Sequence, residues 1–227
     1  MTRDQENKTM NRRLPARREP ATGERPAVQR RIARGDTREA LIRCGTELCS
    51  ERGFQVTGID EVLRRVGVPK GSFYHFFPTK RDFGEAVIQN YATYFQRRLE
   101  ATLGDRTQPP LERLRSVIEQ AERGMAKFKY QRGCLVGNMG QELGGLDEDF
   151  RKQLEDVLLS WQAAAADCLR DAADQGQLPA GADPERLAAF FWIGWEGAIL
   201  RAKLTRNAEP MRLFADLFFE LLGREKK

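Results

Sequence analysis

The 227-residue sequence predicts an all-α protein, with an N-terminal helix-turn-helix unit of three helices followed by a larger C-terminal helical domain. Two observations predict this class. Apolar residues recur at spacings of three and four through most of the chain, as in helices buried along one face. Two short helical patterns are separated by a turn of only two or three residues containing a glycine, which is typical of a helix-turn-helix. We find neither a strand-like alternation nor an internal repeat.

The first helix is predicted from Thr37 to Phe54, with Asp36 as its cap and Gly53 at its end. In the second helix, which runs through "TGIDEVLRRVG", Thr57 and Asp60 form a pair typical of a capping box. Apolar residues at i, i+3, i+4 and i+7 support both helices.

The third helix begins at Pro69, which suits a first helical position, and ends near Phe77 because Pro78 interrupts it. Gly67 ends the helix before it. A long fourth helix then continues toward Leu103. Five further helices are predicted: Leu111–Phe128, Leu135–Leu143, Phe150–Ala172, one opening with Asp183 and Pro184, and a last one at "EPMRLFADLFFELLG".

Composition limits the classes of function. No run of about 18 uncharged apolar residues is present and the first thirty residues are rich in arginine, so we expect no membrane segment and a cytoplasmic location. The four cysteines lack CxxC spacing, which favours reduced thiols and no zinc. His75 is the only histidine and has no nearby acidic or cysteine partner. We therefore expect no cofactor, no metal and no enzymatic activity.

The positive charge is concentrated at the start of the chain, where residues 1–35 contain ten Lys and Arg against four Asp and Glu. This segment also contains Pro and Gly and few large apolar residues, so we expect it to be disordered until it meets a polyanion. Two interpretations stay open: an arm that binds nucleic acid, or a solvated chain start.

The stretch "PKGSFYH" gives the third helix the residues needed to read DNA. The second helix of a helix-turn-helix enters the major groove, where its first residues reach base edges and flanking groups bind phosphates. Lys70 and Ser72 offer hydrogen bonds to bases, and Gly71 permits close approach. The predicted phosphate-binding residues are Tyr74, His75, Lys80 and Thr57. Phe73, Phe76 and Phe77 are expected to hold this short helix on the first two.

The stretch "GFQVTGIDEVLRRVGVPKGSFYHFFPTKRDF" resembles the signature of the TetR family of bacterial transcriptional regulators. The resemblance implies a DNA-binding domain over residues 36–96 and a ligand-binding and dimerisation domain over residues 97–227. It also implies a homodimer that binds double-stranded palindromic operator DNA, represses transcription and releases the DNA when a small-molecule inducer binds.

Two C-terminal segments, "RGCLVGNMGQELGGLDEDFR" and "FWIGWEGAILRAKL", resemble members of this family that regulate acrylate utilisation. The implied inducer is acrylate or a related unsaturated carboxylate. The part around Cys134 is also similar to electrophile-sensing repressors, so sensing through this thiol is the alternative. Cys134 follows Gly133 at a predicted helix start, a setting that can lower a thiol pKa. Cys44, Cys49 and Cys168 lie on apolar helix faces and are expected to be inert.

Candidate ligand residues combine aromatic walls with polar groups. A small carboxylate needs a cation and amide donors, and the apolar part needs a pocket that Phe128, Met125 and Met139 could complete. The candidates are Arg132, Cys134, Asn138, Gln141, Trp161, Trp192, Trp195 and Glu196. Because a buried unpaired carboxylate is costly, we expect Glu196 to form an ion pair with Arg201, Lys203 or Arg132, or else to meet the ligand.

The stretch "FFWIGWEGAIL" is apolar on nearly every side, which predicts a helix buried all round, partly by a second subunit. The last two helices are the expected dimer interface. Gly194, Gly197 and Ala198 are expected to permit close approach, with Leu213, Leu217 and Leu221 facing the partner. Two rival functions are a helical enzyme using Glu196 or Cys134, which lacks a plausible base, and a basic protein that coats DNA without sequence preference.

Overall fold

A computed structural model describes residues 34–223, and within them every regular element is a helix. The all-α class is thus confirmed for the described residues. In chain order the helices are α1 Arg34–Arg52, α2 Ile59–Val66, α3 Lys70–Phe76, α4 Lys80–Leu103, α5 Pro110–Lys127, α6 Leu135–Leu143, α7 Glu148–Asp174, α8 Pro184–Thr205 and α9 Glu209–Gly223. The prediction for the basic segment falls on residues 1–35, of which residues 1–33 lie outside the described part.

Several helix ends follow the local signals. Gly67 ends α2 in the left-handed conformation at φ 76°, which a residue with a side chain adopts at a cost. Thr79 and Asp82 form a capping box at the start of α4. The Asp147 and Asp183 carboxylates accept backbone N–H groups at the starts of α7 and α8.

Two predicted caps are wrong. Asp36 lies inside the first turn of α1, because the helix begins two residues earlier. Thr57 and Asp60 form no capping box, since Gly58 is the N-cap of α2 and no side chain caps it. The Thr57 hydroxyl instead donates to the carbonyl oxygen of Gly53 at 2.6 Å, which closes the turn after α1. This local bond competes with the cap.

A phenylalanine cluster holds α3 against the start of α4. Phe73 and Phe77 are buried, and their rings lie 5.2 and 5.1 Å from the ring of Phe83. Phe76 is half-buried at the edge of the core. A helix of seven residues is not stable by itself, so these contacts fix the position of α3.

In the C-terminal half, α7 is the central helix and packs against α4, α5, α6 and α8, while α9 packs on α8. Trp161 of α7 is fully buried against Phe95 of α4 and Trp192 of α8, with ring centroids 4.4 and 5.4 Å away. The short helix α6 lies between α7 and the end of α1. None of the helices in residues 34–223 is long and apolar enough to cross a membrane.

Candidate functional site

The exposed face of α3 presents the residues predicted to read DNA. Lys70, Gly71, Tyr74 and His75 are exposed, and Ser72 is half-buried. The Lys70 ammonium lies 3.5 Å from the Asp60 carboxylate. Both side chains are exposed, and an exposed ion pair is weak, so Lys70 can exchange Asp60 for an acceptor on DNA. No heavy atom lies within 4 Å of where a side chain on Gly71 would begin, so the backbone is open to a groove.

Two of the predicted phosphate-binding residues have partners within the protein. The Lys80 ammonium donates to the carbonyl oxygen of Gln55 at 3.0 Å and lies over the Phe54 ring, 4.7 Å from its centroid. Its partial burial lowers the pKa of Lys80. Thr57 is buried, and its hydroxyl is used by Gly53. Both side chains thus support the turn between α1 and α2 in the free protein.

An aromatic cavity of about 270 Å³ lies between α1, α4, α5, α7 and α8. This volume is near the lower end of the range for small-molecule sites, roughly 300–1,000 Å³. Its walls include Tyr91, Phe95, Trp161, Trp192, Trp195 and Phe128. Met125 also lines it, but the predicted Met139 is fully buried elsewhere in the core. All three tryptophans of the chain therefore contact one cavity.

Three polar atoms of the cavity residues are buried without a hydrogen-bond partner among the described residues. They are the indole Nε1 of Trp161, the indole Nε1 of Trp192 and Oε1 of Glu196. Buried polar groups normally have partners, because an unmade hydrogen bond costs about 1–3 kcal/mol. All three residues line the cavity, so these unpaired groups lie beside the space that a ligand would occupy.

Glu196 has no ion pair in the described structure, so the ion-pair alternative is wrong and contact with a ligand stays a prediction. Burial raises its pKa to about 7, opposed by a hydrogen bond from the Cys134 thiol. The expected cations are engaged elsewhere or lie outside the cavity: Lys203 donates to the Ser50 carbonyl oxygen at 3.3 Å, and Arg201 is exposed.

Arg132 lines the cavity but its charge is already balanced. Its guanidinium lies 2.9 Å from Glu51, 3.3 Å from Glu47 and over the Phe128 ring at 3.9 Å. The sequence analysis missed Arg98, which also lines the cavity and has no carboxylate partner among the described residues. Arg98 donates to Gln120 Oε1 at 3.0 Å. Arg98 lies four residues after Tyr94 and seven after Tyr91, so the three side chains share one face of α4. This spacing could have predicted from the sequence that Arg98 lies beside the two tyrosines.

Cys134 is the N-cap of α6, and its sulfur accepts the N–H of Gly137 at 3.5 Å. The thiol is buried, and burial, with Glu196 next in importance, raises the pKa of Cys134 well above its ordinary value. The expected lowering of this pKa is therefore wrong, because desolvation outweighs the helix start. Burial also raises the thiol pKa of Cys44, of Cys49 to about 12 and of Cys168 to about 11.

A second cavity of about 300 Å³ lies on the other side of Cys134 and Glu196, which line both. Asn138 and Gln141 line this second cavity and are absent from the aromatic one. Asn138 Nδ2 donates to the carbonyl oxygens of Cys49 and Ser50 at 3.1 and 3.0 Å. Its amide is thus committed to the end of α1.

The end of α1 is joined to the C-terminal half by several hydrogen bonds. The Ser50 carbonyl oxygen accepts from Asn138, from the N–H of Gly133 at 3.0 Å and from Lys203. Glu142 of α6 accepts the N–H groups of Phe54 and Gln55, the residues that follow α1. Helix α6, which begins beside the cavity, therefore contacts the turn between α1 and α2.

The outer face of α8 and α9 is apolar and exposed. Within one chain α8 is buried on one side only, and the prediction that a second subunit covers its other side stays a prediction. The exposed residues are Phe190, Ile193, Leu200, Leu204, Leu213, Leu217 and Leu221. Gly194 serves packing inside the chain, since a Cβ there would overlap the Phe214 ring, whereas Gly197 is open and Ala198 is buried.

Comparison with known proteins matches both halves of the chain. Residues 41–87 match the family model described as bacterial regulatory proteins, tetR family, and residues 110–218 match the tetracyclin repressor-like C-terminal domain. The transcriptional regulator AcuR of Cereibacter sphaeroides is 47% identical over 208 residues, covering 88% of this chain and 95% of the relative. The chain belongs to the TetR family. It is a transcriptional regulator with a helix-turn-helix, and not an enzyme.

Further relatives agree with this TetR-family assignment. The transcriptional repressor DhaR of Mycobacterium sp. strain GP1 is 33% identical, covering 84% of this chain and 94% of the relative. The repressor NemR of Escherichia coli K12 is 31% identical, with 78% and 88% covered. Among solved structures, a regulatory protein TetR from Rhodobacter sphaeroides superimposes with a TM-score of 0.79 at 49% identity, covering 82% of this chain and 98% of that one.

Proposed function

We propose that this protein is a homodimeric repressor that binds a palindromic operator through α3 and releases it when a small carboxylate occupies the aromatic cavity. The single observation that carries the ligand-responsive part is the cavity itself, with three buried polar atoms that have no partner within residues 34–223. In this proposal residues 36–96 bind DNA, and residues 97–227 bind the ligand and form the dimer.

The exposed face of α3 supports the DNA-binding part. Lys70 and Ser72 contact base edges, while Tyr74 and His75 contact phosphates from the same surface. Gly71 allows the backbone to approach. Thr57 and Lys80 act indirectly in this proposal, by holding the turn that positions α3. A two-fold dimer places two such helices about 34 Å apart, one turn of B-DNA.

The apolar face of α8 and α9 supports the dimer. Seven large apolar side chains exposed along two neighbouring helices form a patch that monomeric soluble proteins rarely carry. Leu213 and Leu217 line a groove with Gly197 and Ala198 between the two helices. A second copy of the chain buries this face by two-fold symmetry.

The lining of the cavity supports acrylate or a related unsaturated carboxylate as the inducer. Indole N–H groups donate to an acceptor, and Arg98 adds a positive charge that no carboxylate of the described chain balances. Aromatic walls suit the unsaturated carbon atoms. Binding shifts the dimer toward a geometry that no longer fits the operator, because the ligand stabilises that geometry more.

The alternative is an electrophile-sensing or redox-sensing repressor that acts through Cys134. Its position favours it, because the thiol lines both cavities and lies beside the carboxyl of Glu196. The raised pKa opposes it, since the thiolate is the reactive form. Cys134→Ser distinguishes the two: reversible induction by carboxylates is retained in this variant, whereas a covalent response is lost.

The test is a titration of fluorescently labelled DNA from just upstream of the gene with the purified protein, at fixed salt, with and without excess acrylate. We expect tight binding that acrylate weakens by tenfold or more. Tight binding untouched by acrylate retains the repressor and rejects this inducer. Binding no stronger than to random DNA of equal length, here and across an operator selection, favours the DNA-coating protein and contradicts the repressor.

A further inference from the structure

We propose that Glu196 binds the carboxylate of the ligand by sharing one proton with it, while the indole N–H groups of Trp161 and Trp192 donate to the ligand oxygens. This inference rests on the proposed function, because it concerns the ligand of the same cavity. It adds a specific consequence: ligand binding is coupled to proton uptake.

The two indoles define the polar end of the ligand. Trp161 and Trp192 are buried, their ring centroids lie 5.4 Å apart, and neither Nε1 has a partner among the described residues. An indole nitrogen is a donor only. Two unpaired donors on adjacent side chains favour a ligand group with two acceptor lone pairs, which carboxylate and carbonyl groups have.

The Glu196 carboxyl distinguishes between these groups. Oε1 of Glu196 is buried and unpartnered in the same cavity, and no cation among the described residues pairs with it. No described cation lies within ion-pair distance of Glu196, so a ligand carboxylate that meets it shares a proton with it, because both groups cannot stay ionised side by side. A carboxylate ligand thus pairs with Glu196 through one O–H···O hydrogen bond, a strong charge-assisted contact.

None of the charged or titratable groups around Glu196 takes its place in sharing a proton with the ligand. The titratable and charged groups around it come from α1, α4, α8 and the segment before α6: Glu47, Tyr91, Arg98, Arg132, Cys134 and Lys203. Burial raises the pKa of Tyr91 and of Cys134 well above their ordinary values, so both stay neutral near pH 7. Arg132 is held by Glu47 and Glu51, Lys203 by the Ser50 carbonyl and Arg98 by Gln120, and none of the three forms an ion pair with Glu196 in the described structure.

The proton comes from different sources at different pH. Burial raises the pKa of Glu196 to about 7, so below this pH the free protein already carries the proton. Above it, the carboxyl is ionised and the proton must be taken from solvent when the ligand binds. Affinity for a carboxylate is therefore constant between the pKa of the ligand itself and about pH 7, and it falls about tenfold for each further pH unit.

The test is direct binding, followed by the fluorescence of the three tryptophans that line the cavity, with acrylate and trans-cinnamate as probes. For the wild-type protein we expect the dissociation constant to rise about thirtyfold between pH 6 and pH 8.5. Glu196→Gln keeps a hydrogen-bond donor without titrating, so its dissociation constant stays flat over this range. Glu112→Gln, at an exposed carboxyl of α5, keeps the wild-type slope.

A second measurement does not depend on any variant. Calorimetry of carboxylate binding in two buffers of different ionisation enthalpy counts the protons exchanged, and we expect one proton taken up at pH 8.5 and almost none at pH 5.5. Acrylamide and cinnamamide, which have no carboxylate, show no such loss of affinity with rising pH.

The outcomes distinguish failure of the proton-sharing proposal from failure of the proposed repressor function. Carboxylate binding with the same dissociation constant at both pH values, or without proton uptake at pH 8.5, overturns proton sharing. Absence of binding by either carboxylate at any pH also overturns it. In both cases operator binding, measured without ligand, decides independently whether the repressor proposal survives.

Discussion

Glu142 of α6 lies against the Cα of Gly53, so closely that a side chain on residue 53 would overlap its carboxylate. The same carboxylate accepts the N–H groups of Phe54 at 2.9 Å and Gln55 at 2.8 Å. Gly53 itself has φ 95°, a conformation that residues with a side chain rarely adopt. The contact between α6 and the turn that follows α1 thus depends on a glycine at position 53.

We expect Gly53→Ala to lower the free energy of unfolding by at least about 1–2 kcal/mol, because alanine is strained at positive φ and also displaces Glu142. Urea unfolding followed by circular dichroism measures the change. Gly145→Ala is the matched control, since Gly145 is exposed, has no positive φ and has open space around it. Equal stability of the two variants contradicts the role given to Gly53.

Glu196→Gln is expected to stabilise the free protein in a pH-dependent way. The pKa of Glu196 is about 7 in the folded protein against an ordinary 4.5, so the folded state favours the protonated carboxyl. Stability from this group is present below pH 4.5 and is lost as the pH rises to about 7. The free energy of unfolding of the variant minus that of wild type therefore increases by about 2–3 kcal/mol from pH 5 to pH 8.

Unfolding of both proteins in urea at pH 5, 6.5 and 8 measures this difference. Glu112→Gln serves again as the control, and its difference from wild type is expected to stay constant. A constant difference for Glu196→Gln as well means that Glu196 is ionised in the folded protein throughout this range.

Lys70→Ala is expected to weaken operator binding by about 1–3 kcal/mol, because a base-edge contact is lost. Lys152→Ala, at an exposed lysine on α7, removes the same charge far from α3 and leaves the affinity within about twofold. Fluorescence anisotropy at one salt concentration compares the two. Equal losses show that only the net charge of the chain matters, as in the DNA-coating protein.

Leu217→Asp is expected to convert the dimer to a monomer, since it puts a charge on the exposed apolar face of α8 and α9. Operator affinity falls by at least tenfold as the second half-site contact is lost. Sedimentation velocity measures the mass. Leu146→Asp is the control, because Leu146 is even more exposed, at 75%, and lies away from this face. A dimeric Leu217→Asp protein places the interface elsewhere.

Local signals in the sequence were sufficient to predict most of the fold. Gly67, the pair Asp183 and Pro184, and the last helix from Glu209 all behave as expected, because caps and apolar spacing act within one or two turns. The capping box predicted at Thr57 was wrong for a local reason too, because the Thr57 hydroxyl donates to the carbonyl oxygen of Gly53 instead.

The electrostatics of the cavity could not be predicted in this way. Arg132 pairs with Glu47 and Glu51, more than eighty positions earlier in the chain, and so leaves Glu196 without a cation. The thiol of Cys134 begins a helix, as expected, yet desolvation decides its pKa. Both outcomes depend on which distant side chains the fold brings together, which apolar periodicity does not contain.

The carbonyl oxygen of Ser50 has two lone pairs, but three donors from the described part of the C-terminal half converge on it. One donor is therefore always in excess, and the carbonyl stays satisfied when any one of the three withdraws. Loss of the Asn138 or the Lys203 donor would thus leave this carbonyl hydrogen-bonded to the N–H of Gly133. The junction between α1 and the C-terminal half therefore does not depend on any single hydrogen bond to this carbonyl.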